Sequence, residues 1–214
     1  MLATKVLASG ITHLTDARYF AAWEVDYLAF PLGGENGISW EYLNALREWV
    51  EGPTIVAELP EGADGAAWAE ELRAQQISLA LLPYAAPATA PLLAKGIGLI
   101  ASIGVEGYHG VEDIADALSE ATAEAQFILL NFEQGGITWD DLATGHPFGL
   151  AGLDQLLATR PCLLQIDLGG ANPKALKEAH HLAGFAVRGS SEEKVGYKSF
   201  DDLDDLFEGL EVFE

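Results

Sequence analysis

Short apolar runs alternate with helix-length segments eight times along this chain, and that alternation restricts its fold more than any other feature. The runs are Lys5 to Ser9, Tyr27 to Phe30, Thr54 to Glu58, Leu79 to Leu82, Gly98 to Ile103, Phe127 to Asn131, Cys162 to Asp167 and Gly184 to Val187. A helix is expected after each, over Thr15 to Trp23, Ser39 to Val50, Ala63 to Gln75, Pro87 to Ala94, Val111 to Glu124, Leu150 to Ala158, Pro173 to Leu182 and Phe200 to Glu211. Strands that alternate with helices lie parallel and are joined by right-handed crossovers, since each helix must pack back on the sheet. Eight such units in 214 residues average about 27 residues each, the compact end of a closed (βα)8 TIM barrel of the α/β class. The run Leu79-Ala80-Leu81-Leu82-Pro83 reads equally as helix by periodicity, and regular spacing assigns it to strand. An open doubly wound sheet is the alternative architecture. With no linker, low-complexity tract or internal repeat, residues 1–214 read as one domain.

Composition then narrows the function. Eleven basic residues against 33 acidic ones give a formal charge of −22, which repels nucleic acid and anionic membrane surfaces and leaves neither as an expected partner. Cys162 is the single cysteine and sits inside an apolar run, so it reads as a buried core thiol of a reducing compartment. The N-terminal apolar run is broken by Gly10 and does not read as a secretory signal, and no run approaches a membrane span, so a soluble cytoplasmic protein is expected. Oligomeric state is not legible. His180 and His181 have no third ligand at metal spacing, and no metal or other cofactor is expected.

In a (βα)8 barrel the site lies at the carboxyl ends of the strands. Here those ends are Ser9, Phe30, Glu58, Pro83, Ile103, Asn131, Asp167 and Arg188. Two of them run into glycines. Leu163 to Leu168 leads to Gly169-Gly170-Ala171-Asn172-Pro173, an apolar strand entering paired glycines and a Pro-started helix. Glycines allow close backbone approach and a helix N-terminus offers free N–H groups, which together suit an anion. A second segment follows strand eight, Arg188-Gly189-Ser190-Ser191 with Lys194, Gly196 and Lys198. The pair suits a phosphorylated small molecule, with Gly169, Gly170, Gly189, Ser190 and Arg188 as its contacts; the alternative for Arg188 is a salt bridge to one of the many carboxylates.

The opening Lys5-Val6-Leu7-Ala8-Ser9-Gly10-Ile11-Thr12, with Asp16-Ala17 after it, resembles the start of phosphoribosylanthranilate isomerase. Gly169-Gly170-Ala171-Asn172-Pro173, Gly189-Ser190-Ser191-Glu192, Gly196-Tyr197-Lys198 and the pair Gly135-Gly136 are similar to that family's later loops. The resemblance implies a (βα)8 barrel, a substrate-binding role for Gly10 beside the phosphate loops, and a cofactor-free Amadori rearrangement in tryptophan biosynthesis. That reaction turns an aminoaldose phosphate into an aminoketose phosphate with one general acid and one general base.

The family's base is a cysteine where this chain has Ser9, and its acid an aspartate where this chain has Asn131. A serine hydroxyl takes a proton only with help, and an asparagine has none to titrate. The basic residue expected after strand two is missing from Pro31 to Gly37, and Ala186 stands at an acidic position of the last strand. The catalytic positions Ser9 and Asn131 therefore need a titratable partner, and Asp167, Glu58 and Glu133 are the candidates near the mouth. Pairing of Ser9 with His13 is the hydrolase alternative, with no Gly-x-Ser-x-Gly elbow to support it. The further alternatives are a phosphosugar-binding barrel with different or no catalysis, and a regulatory protein that uses its acidic surface.

Overall fold

Strand β6, Phe127–Asn131, shows how the sequence produces the fold. Phe127 and Leu129 belong to an inner apolar cluster, while Ile128 and Leu130 belong to an outer one. Both faces of the strand are covered, which is why the run carries no polar alternation until Asn131. The computed structural model describes residues 1–121, 123–189 and 200–212. It closes eight parallel strands into a barrel in the order β1 to β8. The others are β1 Lys5–Ser9, β2 Tyr27–Pro31, β3 Thr54–Glu58, β4 Leu79–Pro83, β5 Gly98–Gly104, β7 Cys162–Gln165 and β8 Leu182–Arg188. Closure runs through β1 and β8, with Lys5 opposite Gly184 and Ser9 opposite Arg188. The expected (βα)8 barrel is thus observed, and the open sheet is excluded.

The helices are α1 Leu14–Ala22, α2 Trp40–Arg47, α3 Gly65–Ala74, α4 Thr89–Ala94, α5 Val111–Glu120, α6 Trp139–Thr144, α7 Leu150–Leu157, α8 Pro173–Ala179 and α9 Asp201–Leu210. Ser39 caps α2 by accepting from the Tyr42 amide, and Pro173 occupies the first turn of α8, as their positions in the sequence suggest. Most boundaries move by a few residues, and four differences bear on the shape of the chain around the mouth. The chain after β6 forms a short 3-10 turn, Glu133–Gly135, and then the additional helix α6, started by a Thr138/Asp141 capping box. Helix α8 ends three residues before Leu182 because that residue already pairs with Cys162 in the sheet. Pro87 lies in the turn before α4 rather than at its first position. Strand β7 stops at Gln165, and Asp167 instead bridges Thr138 at the foot of α6.

Both shells of the core are apolar. Leu7, Ala29, Val56, Leu81, Ile100 and Leu163 fill the barrel, and the outward faces of the strands pack on the helices. Helix α9 returns to α1 through Trp23 stacked on Phe207 at 5.1 Å, and the Ala3 amide donates to the Leu210 carbonyl. Ser190, Ser191, Lys194, Gly196 and Lys198, assigned above to the second anion segment, lie outside the described residues.

Candidate functional site

The inward-facing residues at the carboxyl ends of the strands are polar where the layer beneath is apolar. Register places Ser9 opposite Arg188, Gly104 opposite Asn131, Asn131 opposite Gln165, and Glu58 opposite Pro31. Ser9, Glu58, Ser102, Asn131, Gln165 and Arg188 consequently line one cavity of about 220 Å³, with Leu81, Leu129 and Pro83 among its apolar walls. Phe30 and Ile103, also considered as strand ends, point outward into the helix-facing core.

Each polar group has a definite commitment. The Ser9 hydroxyl is buried and donates to the Val187 carbonyl at 3.2 Å, so its proton is directed at backbone and His13 makes no hydrogen bond to it. The Asn131 side-chain oxygen accepts from the Gln134 amide at 3.1 Å, and its NH2 group has no acceptor among the described residues. Gln165 is buried and donates to Glu133 Oε2 at 2.8 Å. Glu58 is half-buried, and its Oε2 accepts from the Gly10 amide at 3.0 Å. Gly10 has φ +66, and a Cβ there would stand 3.2 Å from Arg188 Nε and 3.3 Å from its Cγ. A glycine is required twice over, for the left-handed backbone and for the arginine stem lying across it. Arg188 forms no ion pair among the described residues, in a chain with three times as many acids as bases.

The three candidate carboxylates separate. Glu58 shares the cavity with Ser9 and Asn131. Glu133 reaches that wall only through Gln165, from the 3-10 turn. Asp167 is exposed and turns back on its own loop, where Oδ1 accepts from the Gly169 amide at 2.9 Å. It lines a second cavity of about 560 Å³ with Gly169, Gly170, Ala171, Glu133, Ala186 and the inner face of α9.

Gly169 and Gly170 have φ values of +56 and +86, so the loop after β7 does require the glycines that drew attention to it. Its amides are partly committed inside the protein. The Gly169 amide carries Asp167 and the Ala171 amide carries the Leu168 carbonyl, while the Gly170 amide has no described acceptor. The Gly189 amide donates to the Ser9 carbonyl at 2.9 Å, extending the sheet past β8. Helix α8 opens with Asn172 as cap, its side chain accepting from the Ala175 amide.

Ser102, Gln134 and Gln165 are members of the mouth that sequence reasoning passed over. For Ser102 and Gln165 a polar residue at the inward position of a strand end was the available signal, and in β7 it required placing the strand end at Gln165, whereas Gln134 comes from the 3-10 turn and carried no such signal. Cys162 is fully buried, and desolvation pushes its thiol up to about 12. His180 pairs with Asp154 and packs edge-on to Trp139. Among the described residues no group of three His, Cys, Asp or Glu side chains gathers as a metal site, and no described helix is long and apolar enough to cross a membrane.

No protein-family model matches the chain, and no curated protein matches it. Solved structures do. A phosphoribosyl anthranilate isomerase from Thermus thermophilus superposes with a TM-score of 0.67 at 25% identity, covering 96% of this chain and 98% of that one. A phosphoribosyl anthranilate isomerase in complex with reduced 1-(o-carboxyphenylamino)-1-deoxyribulose 5-phosphate gives 0.69 at 18% identity over 97% and 98% of the two chains. A 3-hexulose-6-phosphate synthase gives 0.62 at 13% identity over 97% and 100%. The barrel is phosphoribosylanthranilate isomerase-like over 96–97% of the chain, and the third structure shows the same fold under another activity.

Proposed function

We propose that this protein is an isomerase of the phosphoribosylanthranilate isomerase type, moving a proton between adjacent carbons of a phosphorylated sugar derivative, with Glu58 as the proton carrier. The observation that carries this reading is the shared cavity of Glu58, Ser9 and Asn131. Ser9 and Asn131 occupy the strand ends where the family has its base and acid, and neither titrates usefully. A carboxylate within the same cavity, at the end of β3 and bonded to the amide of the residue after Ser9, supplies the missing function. Gly10 orients it, since one carboxylate oxygen is anchored to that amide and the other accepts from no described residue. Asp167, held by Gly169, is left to the loop that receives the substrate phosphate.

The likeness to the structures above supports a phosphorylated substrate, an Amadori rearrangement in tryptophan biosynthesis as the first reaction to test, and a cytoplasmic place of action. Of the phosphate contacts expected from the sequence, Gly170 offers an amide with no described acceptor, Gly169 and Gly189 have theirs committed, and Ser190 lies outside the described residues. Fluorescence turnover of phosphoribosylanthranilate by the purified protein is the direct assay. Activity that falls about 100- to 10,000-fold in Glu58→Gln but persists in Asp167→Asn is the expected result. Turnover abolished by Asp167→Asn and unaffected by Glu58→Gln would remove Glu58 from the role. The second reading, a phosphosugar-binding barrel that no longer catalyses, is favoured by the committed Gly169 and Gly189 amides and the substituted Ser9 and Asn131. It corresponds to phosphate stabilisation in a thermal shift with no turnover of any sugar phosphate.

A further inference from the structure

Resting on the isomerase reading of this cavity, we infer that the substrate is a simple aldose or ketose phosphate with a free carbonyl, processed through an enediolate, rather than an aminoaldose. The juxtaposition behind this is Glu58 and Arg188 on two sides of Gly10. The carboxylate accepts from the Gly10 amide, and the guanidinium stem crosses the same residue, its Nε 3.2 Å from where a Cβ would stand. Both line the mouth with Ser9, Ser102 and Asn131. They form no ion pair with each other, and among the described residues Arg188 has no ion partner, so the mouth sets a carboxylate and an exposed cation side by side.

The charge that develops at carbon 1 decides which substrate such a pair suits. In an Amadori rearrangement carbon 1 is a protonated Schiff base, and loss of the carbon 2 proton takes that cation to a neutral enolamine. A guanidinium beside it opposes the reacting state. In an aldose the same proton loss takes a neutral carbonyl to an enediolate, and a cation at the mouth stabilises the new negative charge.

The step balances without a co-reactant. Glu58 takes the proton from carbon 2, the C–H electron pair becomes the C1=C2 double bond, and the carbonyl pair moves to O1 against Arg188. The O2 proton passes to O1. Glu58 then returns its proton to carbon 1 as O2 becomes the ketone oxygen. One hydrogen has moved from carbon 2 to carbon 1 and one from O2 to O1.

The test uses ribose 5-phosphate in deuterium oxide, followed by NMR for exchange at carbon 2 and for ribulose 5-phosphate, beside the phosphoribosylanthranilate assay on the same preparation. Wild-type protein is expected to exchange and isomerise ribose 5-phosphate. Glu58→Gln and Arg188→Gln are each expected to lower that rate about 100-fold or more, with unchanged circular dichroism, and Arg188→Lys to restore part of it. Turnover of phosphoribosylanthranilate without any exchange on ribose 5-phosphate overturns this substrate class and leaves the isomerase reading intact. Exchange that survives Arg188→Gln undiminished overturns the role of the cation. No reaction with either compound overturns the isomerase reading, and this inference with it.

Discussion

The two ends of the barrel solve the same packing problem in opposite ways. At the amino end of the strands, Lys5 reaches Asp26 at 3.4 Å, the other Asp26 oxygen accepts from the Val6 amide at 3.0 Å, and Gln126 donates to the Tyr27 hydroxyl at 3.3 Å. Tyr27 and Phe127 meet edge to face at 5.8 Å and close the interior. Each of these polar groups finds a partner, and rings fill the space. At the carboxyl end the layer of Ser9, Glu58, Ser102, Asn131, Gln165 and Arg188 surrounds a cavity, and its cation has no ion partner among the described residues. Folding needs only the first arrangement. The second sets an exposed arginine with no ion partner among the described residues at the rim of a cavity, an arrangement that a ligand would complete.

Substitutions at the two ends should therefore fail in different currencies. Glu58→Gln is expected to produce the largest effect in the molecule, a fall of about 100- to 10,000-fold in isomerase turnover, about 3 to 5 kcal/mol in the barrier. Its urea midpoint should stay near that of the wild type. Phe127→Ala should do the reverse, costing about 3 to 5 kcal/mol of stability in urea unfolding, because a buried ring leaves a cavity the barrel cannot collapse around. Turnover per folded molecule should be preserved. A large stability loss in Glu58→Gln, or a specific loss of turnover in folded Phe127→Ala, would break the division between the ends.

The barrel as a whole was readable from the sequence, and the mouth was readable only in part. Apolar runs at regular spacing fix parallel strands because both faces of each are covered, so β1, β3 and β6 fall on the expected residues. Helix α6 was missed although Thr138 and Asp141 spell its capping box, because the six residues Trp139–Thr144 are too few to show a period. Ser9, Asn131 and Arg188 were found because strand ends in a barrel point to a site. Gln165 was missed because β7 ends two residues before Asp167, so the polar residue that lines the mouth looked like part of the run. Sequence also could not rank Glu58, Glu133 and Asp167. Their separation depends on which backbone amide each meets, Gly10 for Glu58 and Gly169 for Asp167, and that is decided by loop geometry.

Smaller effects sharpen the contrast. Asp26→Ala removes the acceptor for the Val6 amide and the partner of Lys5, and should cost about 1 to 2 kcal/mol with no change in turnover, read from urea midpoints and initial rates. Cys162 lies on the helix-facing side of β7, where burial lifts its thiol to about 12. It should not react with a disulfide reagent at about pH 8 until the protein is unfolded. Fast labelling of the native state would mean that this part of the barrel opens locally.

The weakest effect lies at the upper end itself and separates a structural carboxylate from the proposed catalytic one. Asp141 accepts from the Thr138 backbone N–H at 2.9 Å and from its hydroxyl at 2.8 Å, and these bonds, with His146 nearby, hold it below the ordinary aspartate value of 3.8. A carboxyl lowered on folding stabilises the protein above its unfolded pKa, and the contribution is lost as pH falls through the folded value. The thermal midpoint difference between wild type and Asp141→Asn should be constant from neutral pH to about 5, shrink below 3.8 and then vanish. Turnover should not change over the range where both proteins are folded. A difference that stays flat to the lowest pH would mean the cap acts through its hydrogen bonds alone, since asparagine keeps an acceptor and loses only the charge. A turnover profile that moves with Asp141→Asn would instead couple α6 to the mouth, through the Thr138 to Asp167 bridge, and the upper end could no longer be divided into a catalytic layer and a scaffold beside it.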